Sequence, residues 1–117
     1  MPRTGELDPK DWPEARGMIL RYVYRQERKH REVTFMRIWA FVRDEGFRIT
    51  LEDLQTALLD LKQCGYVQFK KTTDARTGES RHHDIRTMPK GRNLVEETAN
   101  DPSVRIDIST GRLEEEA

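Results

Sequence analysis

Leu54-Gln55-Thr56-Ala57-Leu58-Leu59-Asp60-Leu61-Lys62-Gln63-Cys64-Gly65-Tyr66-Val67 is the stretch in which the chain changes its period, and that change sets the expected fold. Leu51, Leu54, Leu58 and Leu61 recur at three- and four-residue spacing, the stripe that an amphipathic helix buries. Thr50 stands where a side-chain oxygen accepts from first-turn amides. Cys64-Gly65 stops the helix, because glycine best tolerates the left-handed conformation of a helix end. From Tyr66 the residues turn aromatic and β-branched. Tyr66-Val67-Gln68-Phe69-Lys70-Lys71 reads as a strand, and Arg81-His82-His83-Asp84-Ile85-Arg86-Thr87-Met88 answers it. Residues 73–80 between them hold turn formers and no core, so a hairpin with a long polar tip is expected.

Upstream, Thr34 opens a helix carrying Phe35, Ile38, Trp39 and Val42 on one stripe, and Gly46 closes it. Asp11-Trp12-Pro13-Glu14 reads as a capping box with proline tolerated in the first turn. The helix it starts bears Ala15, Met18, Ile19, Tyr22, Val23 and Gln26 and should reach Gln26 or Lys29. Downstream, Pro89-Lys90-Gly91 ends the second strand, and Arg92 to Ala99 suggests a short last helix before Asn100-Asp101-Pro102. The expected class is α+β, mostly α: a three-helix core, a two-stranded hairpin and a short C-terminal helix. At 117 residues there is one domain, over 11–100, with a flexible arm at 1–10 and an acidic tail at 101–117.

Charged residues make up 36% of the chain, and no apolar run reaches the roughly 18 residues of a membrane span. No secretory leader is read at the N-terminus, and the single cysteine, Cys64, excludes an internal disulfide, so a cytoplasmic address is expected. The formal net charge of zero hides a pattern. Over 66–92, Lys70, Lys71, Arg76, Arg81, Arg86, Lys90 and Arg92 face Asp74, Glu79 and Asp84, a balance of +4, whereas residues 93–117 balance at −5. Opposite charge makes the tail a candidate internal competitor for the basic hairpin.

Three helices running straight into a hairpin, with Leu54 to Val67 at the junction and Thr87-Met88-Pro89-Lys90-Gly91-Arg92-Asn93-Leu94 after it, resemble winged helix-turn-helix domains of the MarR-, ArsR- and PadR-like regulators. The resemblance spans roughly 11–100, and its motifs are short and mostly structural. It implies a duplex-DNA-binding transcriptional regulator of a bacterium or phage, usually dimeric, with the third helix in the major groove and the wing on the phosphate backbone. A dimer surface would come from the N-terminal arm with the first helix, or from residues 103–113.

On the side of the third helix away from the leucines lie Thr50, Glu52, Asp53, Gln55, Thr56, Leu59, Asp60, Lys62 and Gln63. Gln55 and Thr56 suit base edges, with Thr50 beside them, and Lys62 and Gln63 suit the backbone. The wing offers Lys70, Lys71, Arg76, Arg81 and Arg86 to phosphates, with His82 and His83 when protonated. Glu52 and Asp53 oppose this, since they would meet phosphate with like charge. The alternative is a protein–protein interaction module of the same fold, using the acidic third helix.

Adjacent histidines point to opposite faces of a strand, so His82 and His83 with Cys64 or His30 do not form a ready metal site. Cys64 reads as a small helix-end residue and Trp39 as core. No glycine-rich phosphate loop and no nucleophile with a placed base is present, so neither an enzyme nor a cofactor is expected.

Overall fold

The structure is a computed structural model that describes residues 7–97 and 99–106. A 3-10 turn, Pro9–Asp11, runs directly into α1, Trp12–Arg28; α2, Phe35–Asp44, and α3, Leu51–Gln63, follow. Strands β1, Val67–Thr73, and β2, Ser80–Thr87, form an antiparallel hairpin, and α4, Pro89–Val95, closes the described elements. The class is α+β. No helix among the described residues is long and apolar enough to cross a membrane.

The core lies where the three long helices meet the base of the hairpin. Ile19, Leu20 and Val23 of α1, Ile38 and Val42 of α2, and Leu54, Leu58 and Leu61 of α3 are buried together with Val67, Phe69, Ile85 and Leu94. Each fully buried aliphatic side chain contributes roughly 1.5–3 kcal/mol relative to exposure. Trp39 is half-buried against this core, and its indole N–H donates to the Ile49 carbonyl at 3.1 Å, fixing the path from α2 to α3.

Several local expectations are corrected. Asp11 does not cap α1: its backbone is already helical, and its side chain makes no cap hydrogen bond. The acceptor is Asp8, which takes the Lys10 N–H from extended backbone, the geometry a cap requires. In α3, Leu51 is exposed and Ala57 takes a core place, because the buried stripe runs through Asp53, Leu54, Ala57, Leu58 and Leu61 and Leu51 falls at its edge. The last helix starts at Pro89, three residues before Arg92, and ends at Val95, short of Ala99. The core also passes both ends of the 11–100 range. Leu7 and Val104 are buried, and the Arg105 N–H donates to the Pro13 carbonyl at 2.9 Å. The rest of the expected arm, residues 1–6, and the tail from 107 onward lie outside the described residues.

Candidate functional site

The site is built from α3 and the hairpin that follows it. Thr50 Oγ1 accepts the Asp53 N–H at 3.0 Å, and Asp53 Oδ2 accepts the Thr50 N–H at 3.2 Å, a reciprocal capping box. The same carboxylate oxygen accepts the Leu7 N–H at 3.2 Å, so Asp53 is only 5% exposed. It does not stand on the outward side where the sequence placed it. Asp60 also turns away. Arg16 of α1 donates to its Oδ2 from Nη2 at 3.1 Å and from Nε at 3.3 Å, and Arg16 Nη1 donates to the Ser103 carbonyl.

Two of the three acids of α3 are therefore engaged inward, leaving Glu52 exposed beside Gln55, Thr56, Leu59 and Gln63. Thr50 itself is half-buried by its capping role. Lys62, expected at phosphate, instead ties α3 to the hairpin. Its ammonium donates to the Phe69 carbonyl at 3.2 Å and lies 4.6 Å from the Phe69 ring centre.

The hairpin pairs Val67 with Thr87, Gln68 with Arg86, Lys70 with His83, Lys71 with His82 and Thr72 with Arg81, with a register shift between Gln68 and Lys70. Asp84, at φ 56°, is the left-handed residue inside that shift, and it makes β2 one residue longer than β1 there. The bulge resets the alternation of β2. Ile85 and Thr87 face the core below it, and His82 faces inward above it, 8% exposed.

His82 stacks on Phe35 at 4.9 Å and packs against Phe69 at 5.1 Å. Burial, and then the nearby Lys71 and Lys62 ammoniums, hold its pKa below the ordinary histidine value. The sequence offered a protonated His82 to phosphate at the surface of the wing; in the structure its ring is buried, wedged between two aromatic side chains. By cross-strand pairing Lys70, Arg81 and Arg86 share one face of the hairpin, and Lys71 shares the other with His82.

Lys70 lies 3.6 Å from Asp84, and Arg86 Nη2 donates to Gln68 Oε1 at 3.3 Å. All four basic strand residues are exposed, as is Arg76 at the tip, where Asp74 Oδ1 accepts the Arg76 N–H at 2.8 Å.

A groove of about 900 Å³ runs between β2 and the N-terminal turns of α2 and α3, with Val33, Met36, Leu51, Gln55, Arg81 and His83 among its walls. The sequence did not foretell it, since it depends on Leu51 standing at the exposed edge of the buried stripe of α3 and on the bulge. Cys64, at the C-terminal end of α3, is exposed, and no group of three or more metal-ligating side chains occurs among the described residues. No protein-family model matches the chain, and no curated protein matches it.

Proposed function

We propose that the protein is a winged helix-turn-helix domain that binds duplex DNA as a transcriptional regulator, acting as a homodimer. In this reading α3 enters the major groove, and the hairpin is the wing that follows the phosphate backbone. One observation carries it: Asp53 and Asp60 are engaged within the fold, so the outward side of α3 presents mostly uncharged hydrogen-bonding groups. This relieves much of the charge conflict that an acidic reading helix poses. Gln55 and Thr56 address base edges, with Gln63 at the groove margin. Lys70, Lys71, Arg76, Arg81 and Arg86 supply phosphate contacts, and local positive charge steers association even at zero net charge.

A second reading, a module that binds another protein, draws support from the exposed Met36 and Leu51 at the mouth of the groove. Fluorescence-anisotropy titration of random-sequence duplex DNA at low and moderate salt separates the two. DNA binding predicts an affinity that falls steeply with salt. An unbound duplex at low salt defeats the DNA reading and leaves the protein-partner one standing.

A further inference from the structure

Leu59 lies at the middle of the outward side of α3 and is 48% exposed, although Leu54, Leu58 and Leu61 of the same helix are fully buried. Gln55 and Gln63 stand one turn before and one turn after it, each about 6 Å away along the axis. Thr56 and Lys62, three residues before and three after it, complete its surroundings, and all four of these neighbours are exposed and polar. The apolar spot at Leu59 is thus one side chain wide. Leu51 lies about 12 Å along the axis, at the groove mouth. A protein-docking face needs a contiguous apolar core, which a single leucine ringed by two amides, a hydroxyl and an ammonium does not offer. The major groove of DNA, in contrast, presents isolated apolar groups of matching size, the 5-methyl groups of thymine.

We propose that Leu59 is a specificity-determining residue that packs on a thymine 5-methyl group, so that α3 prefers A·T-containing sites. The proposal rests on the DNA-binding reading above. Gln55 and Gln63 fit it, because a glutamine amide pairs with both N6 and N7 of adenine, and one helical turn advances along the groove by close to two base-pair steps. Leucine then supplies the thymine half of the recognition and glutamine the adenine half.

The test uses four short duplexes of equal length with a variable central block: A·T pairs, the same block with uracil in place of thymine, G·C pairs, and the same G·C block with 5-methylcytosine. Uracil removes the methyl group and leaves the hydrogen-bonding edge unchanged, and 5-methylcytosine installs a methyl group without adenine. For the parent, uracil should weaken binding about fourfold per methyl contacted, and 5-methylcytosine should strengthen binding to the G·C block by a similar factor. Leu59→Ala should lose both responses while keeping the parent's salt dependence, and Leu59→Met should keep both.

Equal parent affinity for thymine and uracil duplexes overturns the assignment, as does a Leu59→Ala protein that retains the parent's ratio. Salt-dependent binding indifferent to methyl groups overturns Leu59 alone. Absence of binding to all four duplexes overturns the DNA reading with it.

Discussion

His82 is where one side chain links stability to pH. Its ring is enclosed by Phe35 and Phe69, with Lys71 and Lys62 near enough to oppose a further positive charge. The folded state therefore favours the neutral ring and has a pKa below 6.5, while the unfolded chain binds the proton more readily. Stability supplied by this burial is complete above the unfolded value and declines as pH falls through the folded value. Thermal melts at pH values from above 7 down to about 5 should show the parent losing melting temperature. In His82→Phe, which keeps an aromatic ring in the stack, the decline should be shallower; equal slopes would show that other groups carry the acid sensitivity. The inward position of His82 was not legible in the sequence, because simple alternation from Ile85 selects His83. The reset comes from a left-handed Asp84, and aspartate is common in ordinary turns as well. The Thr50 cap, by contrast, is a local pattern and was read directly. The second partner of Asp53, the Leu7 amide, is 46 residues away and leaves no local trace.

Among the elements, α1 and the segment after α4 approach each other closely at backbone level. A Cβ placed on Gly17 would lie 1.7 Å from the Arg105 carbonyl oxygen. In an exposed helix, glycine to alanine gains about 1 kcal/mol. Here the sign should reverse, because the added carbon meets backbone and residues 99–106 must move, withdrawing Val104 from the core. Gly17→Ala is expected to lower the melting temperature and to raise the rate of proteolytic cleavage near Val104; a stabilised variant would show that the segment is not held there. Helix periodicity located α1, α2 and α3 correctly because their stripes are strong. It could not foresee that Gly17 serves a close approach, since a single glycine within a helical pattern carries no sign of what faces it. The same limit applies to α4, which proline begins at its first position while the periodic signal is only two residues long, Leu94 and Val95.

For the whole molecule, charge is arranged by pairing as much as by position. Arg16 neutralises Asp60 across the interface of α1 and α3, Lys62 joins α3 to β1, and the strand and tip cations Lys70, Lys71, Arg76, Arg81 and Arg86 remain exposed on the hairpin. Changing Lys70 and Arg76 together to Ala should weaken binding to every duplex by a similar factor and reduce the salt slope by up to about 2. Gln55→Ala should instead change the preference between sequences. If salt titrations and competition assays give the parent's result for both proteins, the assigned contacts are wrong. At this scale the order of helices and hairpin was legible, since it follows from period and punctuation. The pairing of Arg16 with Asp60 was not, because 44 residues separate them and helix packing alone brings them together.

The position of Arg105 against Pro13 also has a practical consequence for handling the protein. Leu7 sits just ahead of α1 and Arg105 is fastened to its first turn, so both ends of the described chain emerge near the same end of that helix. The hairpin is held at the opposite end, where Glu27 accepts hydrogen bonds from the Thr87 amide and hydroxyl. Fourteen residues of helix, about 21 Å, separate Pro13 from Glu27. A peptide linking Leu7 to Ile106 would make circular permutants of the described residues with new termini at Gly78 a feasible design.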